Sequence, residues 1–133
     1  MEFEWDEGKR RRVLRERGLD FLVVRSARAS PRDATVLFDG RAACNVVYMV
    51  PHAAIRVEAM GWADRLPTPA ELARMGELAR QGMRDGAFGF STGLTYPPGA
   101  YSDTGELVAV CQAIKEFGGF YMTHARYSLG DRL

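Results

Sequence analysis

An imidazole placed directly behind a short apolar run, in Phe120-Tyr121-Met122-Thr123-His124-Ala125-Arg126, is the most chemically suggestive feature of this chain. At the C-terminal end of a barrel strand, a histidine can offer one ring nitrogen to a metal while a carboxylate or carbonyl fixes the other. The plainer reading of His124 is a strand-end histidine with satisfied hydrogen bonds, because zinc sites draw on three or four ligands and the chain offers few others. His52 lies between Pro51 and a helix-like run and reads as a loop or packing residue. Ser91, in Gly89-Phe-Ser-Thr-Gly93, is a nucleophile only beside a base; without one it reads as a turn residue. Tyr96 and Tyr101 stand in the loop Tyr96-Pro-Pro-Gly-Ala-Tyr101. Rigid loop aromatics of this kind suit a substrate wall, or plain packing. Cys44 and Cys111 form no C-x-x-C pair and read as small core residues.

Those residues need a scaffold, and the spacing supplies one. Residues 45–50 are a short apolar run suited to a strand. Residues 68–85 carry strong helix-start signals, with Thr68 as the cap, Pro69 at the first position and Glu71 three residues past the cap. Leu72, Met75, Leu78, Ala79 and Met83 then share one face at three-and-four spacing, and Gly86 ends the helix. Residues 87–94 read as a second strand. A helix beginning at Ser102 or Thr104 is expected to bury Leu107, Val108, Cys111 and Ile114 and to stop at Gly118-Gly119 before a strand over 120–123. This strand, helix, strand, helix, strand order predicts an α/β fold with three parallel neighbouring strands, since right-handed crossovers join them. Functional groups then gather at the C-terminal strand ends.

The first 41 residues have a different texture, holding ten of the eighteen basic and eight of the seventeen acidic residues. Phe3 and Trp5 alternate with acidic residues like a strand, residues 9–17 read as a helix ended by Gly18, and 20–24 as a second strand; 27–34 reads as a loop. The expected organisation is therefore a charged α+β N-terminal segment, 1–41, followed by a β/α unit, 42–133.

With 47% hydrophobic and 26% charged residues among 133, the chain can bury a core. A formal charge of +1 gives no electrostatic case for nucleic acid. The acidic start is no signal peptide, and no apolar run approaches the ~20 residues of a membrane span, so a cytoplasmic, non-membrane protein is expected.

Several motifs together carry a resemblance. Asn45-Val-Val-Tyr-Met-Val-Pro-His52-Ala-Ala-Ile-Arg56-Val-Glu-Ala-Met-Gly61, Pro67-Thr-Pro-Ala-Glu-Leu72, Gly86-Ala-Phe-Gly-Phe-Ser-Thr-Gly-Leu94, the Tyr96 to Tyr101 loop, Thr123-His-Ala-Arg126 and Gly130-Asp-Arg-Leu133 appear in order over about 44–133. They resemble the N-acyl-D-amino-acid deacylases, D-aminoacylases of the amidohydrolase superfamily. The resemblance implies a fragment of a (β/α)8 TIM barrel, zinc as cofactor, N-acyl-D-amino acids as the substrate class, His124 as a metal ligand and Tyr96 as a substrate-binding residue. It also implies that much is missing. The family's His-x-His on the first strand, its metal-binding cysteine, its later histidine and its catalytic aspartate have no counterpart here, so no catalytic residue is assigned. After Arg126, where the family usually has an acidic residue, the chain reads Tyr127-Ser128-Leu129.

The head resembles, more briefly, the opening of the BrnT-type toxins, in Glu2-Phe-Glu-Trp-Asp6, Lys9 and Arg17-Gly-Leu-Asp-Phe21, with Leu37-Phe-Asp-Gly-Arg41 as an extension. It departs from them at Val13, Glu16 and Arg17. Three functions follow as expectations. The first is a truncated or fused piece of a D-aminoacylase-like hydrolase, inactive alone. The second is an assembly module that pairs its open sheet edges with a partner or with itself. The third is a BrnT-like ribonuclease.

Overall fold

The computed structural model describes residues 46–124, together with the single positions Arg32, Val36, Phe38 and Ala43. The expected elements of the charged head, the toxin-like stretch, Cys44, Asn45 and Arg126 lie outside the described residues, as does the segment after Arg126. The elements run β1 (Met49–Pro51), α1 (His52–Met60), α2 (Pro69–Arg84), β2 (Gly89–Gly93), a 3-10 turn (Gly99–Tyr101), α3 (Thr104–Ile114), a second 3-10 turn (Lys115–Phe117) and β3 (Phe120–His124). The sheet has the order β1-β2-β3, and both pairings are parallel. That is the strand order anticipated from the sequence. No helix among the described residues is long and apolar enough to cross a membrane.

The helix α2 follows its sequence signals closely. Thr68 accepts from the Glu71 amide while the Glu71 carboxylate accepts from the Thr68 amide, closing a reciprocal capping box with Pro69 at the first position. Its other end closes through Gly86, at φ +102°, with the amides of Gly86 and Ala87 donating to the carbonyls of Met83 and Gly82. This is the Schellman arrangement, which needs a left-handed residue at that place. Met75, Ala79 and Met83 are buried as the spacing requires, with Leu72 and Leu78 packed beside them.

The helix-like run after Pro51 is a helix of its own, α1, although it has no side-chain cap and no acidic first turn. Two expectations need correction. In α3 the buried residues are Glu106, Val110 and Ile114, whereas Val108 is 47% exposed and Leu107 and Cys111 are only partly covered. The inward face is set by Glu106 and not by the apolar residues alone. Ser91 belongs to β2 and is not in a turn.

The core lies between the sheet and the helices. Val50 packs against α2 so closely that a Cβ on Gly82 would come 2.5 Å from Val50 Cγ2. Phe90 is its neighbour in the sheet and is fully buried. Side chains alternate along strands. Val50, Phe90 and Tyr121 therefore share the helix-facing side through their register, while Ser91, Gly93, Met122 and His124 share the other.

Candidate functional site

All three strands run the same way, so their C-terminal ends collect at one rim. His52 follows β1, the segment 94–101 follows β2, and His124 closes β3. The rim thus brings together both histidines and both loop tyrosines singled out above, but in two separate groups.

The first group is His124 with Tyr96. Gly93 is the register partner of His124, and the amide of Leu94 donates to the His124 carbonyl at 3.1 Å. The chain then turns back over the histidine: Thr95 Oγ1 is 3.4 Å from Nδ1, and the Tyr96 ring stacks on the imidazole with centroids 5.9 Å apart and planes 25° apart. Tyr96 remains 61% exposed, so this pair stands open to solvent. Behind it Thr92 Oγ1 lies 2.8 Å from both the Tyr121 hydroxyl and Thr123 Oγ1, tying the β2 and β3 ends together on the helix side.

The second group is buried. His52 is the first residue of α1, is fully enclosed, and is a packing histidine in a helix rather than a loop residue. Its Nε2 lies 2.6 Å from Glu106 Oε1, and Arg56 Nε lies 3.1 Å from the same oxygen. A carboxylate beside a guanidinium is an acceptor only, so Nε2 carries the proton and donates. Arg56 also donates from Nη1 to the Ala63 carbonyl at 3.1 Å and from Nη2 to the Arg65 carbonyl at 2.6 Å. Its guanidinium carbon stands 6.0 Å from the Tyr101 ring centroid, which places Tyr101 with this group and away from Tyr96. The imidazole meets Phe90 edge-on, with centroids 5.7 Å apart.

Arg56 and Glu106 were invisible as site candidates in the sequence, because a charged helical residue reads as solvated surface. One signal existed: His52, Ile55 and Arg56 fall on one face of α1, and all are buried. Ser91 pairs in register with Pro51 and Met122, and no hydrogen bond joins it to a histidine among the described residues. Cys111 is a half-buried free thiol whose ionisation is pushed up by burial.

Metal chemistry can be tested against these positions. Among the described residues no three of His, Cys, Asp and Glu converge as a metal-binding group. His124 is a single imidazole, and the His52 Nε2 and the Glu106 carboxylate are committed to one another and to Arg56. The described residues therefore do not by themselves fit zinc.

No protein-family model matches the chain. It is 42% identical over 85 residues to a D-aminoacylase of Alcaligenes xylosoxydans xylosoxydans, a match covering 64% of this chain and 18% of that relative. It is likewise 42% identical over 86 residues to the N-acyl-D-aspartate deacylase of the same organism, covering 64% of this chain and 17% of that relative. The crystal structure of a D-aminoacylase, described as defining a novel subset of amidohydrolases, superposes with a TM-score of 0.66 at 35% identity, over 75% of this chain and 21% of that one. The N-acyl-D-glutamate deacylase of Bordetella bronchiseptica, solved with zinc and a phosphonate mimic of the tetrahedral intermediate, gives 0.65 at 32%, again over 75% and 21%. The chain thus spans about a fifth of the length of the relatives it matches. Over that matched part it is similar to the D-aminoacylases, a subset of the amidohydrolases.

Proposed function

We propose that residues 46–124 are a β/α segment of a D-aminoacylase-type (β/α)8 barrel, contributing one imidazole, His124, to a zinc site and one aromatic, Tyr96, to the wall that receives an N-acyl-D-amino acid. The observation that carries this reading is the stack of Tyr96 on His124 at the C-terminal rim of three parallel strands, in a chain segment with 42% identity to a D-aminoacylase. Rims of this kind are where barrel enzymes keep their chemistry. The three strands among the described residues cannot close an eight-stranded barrel, and one imidazole does not hold catalytic zinc. On this reading residues 46–124 are inactive by themselves, and no catalytic step is assigned to them.

A chimera tests this. Residues 46–124 are exchanged for the matching segment of a D-aminoacylase, and zinc content and hydrolysis of N-acetyl-D-amino acids are measured. The expected result is a zinc-loaded, active chimera that loses metal and turnover on His124→Ala. A folded chimera without zinc, or one indifferent to His124→Ala, overturns the reading. For the chain alone, calorimetric titration with zinc is expected to give no tight one-to-one binding.

Assembly is a second reading, favoured by one observation. β3 is exposed along its whole length, and beside it Leu107, Val108, Cys111 and Tyr121 line an open apolar groove. Size-exclusion chromatography of the full chain, with a Met122→Lys variant as comparison, separates a monomer from an edge-paired assembly.

A further inference from the structure

We infer that His52, Arg56 and Glu106 are positioning residues that hold the Tyr96 loop over His124. The inference rests on the reading of Tyr96 and His124 as site residues.

The three side chains are as deeply enclosed as any in the described part of the molecule. Burying an ion pair costs solvation that well-packed apolar residues would not, so stability alone does not account for a buried Arg–Glu–His group. What such a group supplies is direction, because each hydrogen bond is satisfied at one geometry only. Here the directions converge on the segment between β2 and α3.

Both ends of that segment are tied to the cluster. Its far end runs into α3, where Asp103 caps the helix by accepting from the Glu106 amide at 2.8 Å and the Glu106 carboxylate is clamped between His52 and Arg56. Its middle is the turn Gly99–Tyr101. Arg56 stands over Tyr101, and Gly99 lies beside His52, where a Cβ on it would meet Nδ1 in van der Waals contact at 3.7 Å. That same Cβ would lie 2.5 Å from the Gly93 carbonyl, so the turn is seated between the His52 ring and the end of β2. Ser102 Oγ then donates to the Gly99 carbonyl at 2.6 Å, and the Ala100 amide donates to the Tyr96 carbonyl at 2.9 Å. The path from the cluster to the backbone of Tyr96 is therefore short: the His52 ring and the Arg56 guanidinium pack on the turn, and hydrogen bonds within the turn lead on to Tyr96. Tyr96 itself is mostly exposed, so its place over the imidazole depends on where its backbone is held.

The test is a spectroscopic one on the full chain. A tyrosine ring stacked on an imidazole displaces the histidine ring-proton resonances by its ring current, and Tyr96→Ala gives the unstacked reference for His124. In His52→Leu, which removes the donor to Glu106, the His124 displacement is expected to fall by at least half while the amide spectrum of α2 is unchanged. In His52→Gln, whose amide can donate to Glu106, it is expected to recover. A folded His52→Leu with the full displacement overturns the inference, as does failure of His52→Gln to recover it. If His52→Leu does not fold, Arg56→Met combined with Glu106→Met removes both charges together and is read in the same way. The outcome is separable from the functional reading, since zinc content of the chimera tests His124 as a ligand, whereas the ring-current displacement tests only what places Tyr96.

Discussion

His52 and Glu106 are 54 residues apart in sequence, and their side chains meet at 2.6 Å with no exposure to solvent on either side. The contact joins the first residue of α1, directly after β1, to the first turn of α3. Arg56 completes it from the same helix face as His52, one turn further along.

Removing Arg56 leaves the buried Glu106 carboxylate without its guanidinium counter-ion, which costs roughly 3–5 kcal/mol. Arg56→Met is therefore expected to lower the unfolding free energy by about that amount in urea titration. Arg65→Met removes an ion pair to Glu71 of similar length, 2.7 Å, but at the surface, and is expected to change stability far less. Equal losses in the two variants would contradict the buried-pair account.

The carboxyl of Glu71 is held well below the usual range, at about 2, chiefly by its hydrogen bond from Arg65 and then by the Thr68 amide. A carboxyl lowered on folding adds stability above its ordinary value near 4.5 and loses it as the pH falls towards 2. Glu71→Gln is expected to flatten the stability profile between those values. Thermal melts at half-unit pH steps, compared with the parent, measure it.

Gly82 is expected to reject a methyl group. Alanine favours a helix by up to ~1 kcal/mol over glycine, but the Cβ would press on Val50 at 2.5 Å, and overpacking of a β-branched neighbour costs about 1–3 kcal/mol. Gly82→Ala should destabilise, and Gly82→Ala in a Val50→Ala background should recover part of the loss. A double variant no better than the sum of the two single losses would show that the contact yields elsewhere.

Tyr48 leads into β1, and burial pushes its phenol above the ordinary value of 10.0. A group raised on folding contributes stability below its unfolded value and loses it as the pH climbs through the folded one. Ultraviolet titration of the parent against Tyr48→Phe is expected to show one phenol ionising late, and alkaline unfolding to start at higher pH in the variant.

How far the sequence could be read depended on whether its signals were local. The α2 cap was legible because Thr68, Pro69 and Glu71 act within one turn. The three parallel strands were legible because each is short, apolar and bounded by Gly or Pro. Val108 was misread because an apolar residue is not bound to face inward, and the inward place on α3 goes to Glu106, whose partners lie fifty residues earlier. Helix α1 was legible only as a helix-like run, and its start at His52 was not, because no side-chain cap marks it. His124 and Tyr96 were each identifiable as candidates, but their ring stack follows from the Gly93↔His124 register and from the turn of the loop, neither of which a one-dimensional pattern contains.

The parallel order of the sheet also dictates when it can form. Met49 pairs with Gly89, and Gly89 with Phe120, so no strand meets its neighbour through a tight hairpin. Every rung of the ladder has to wait for an intervening helical stretch to close a long loop, and loop closure must be met before the contacts it permits are gained. Helix α2, with its self-contained cap, is the element able to form early, and the strands then condense on it through Val50 and Met83. A nascent chain that had not yet reached Phe120 would present β2 with one vacant side, an edge open to pairing with another strand.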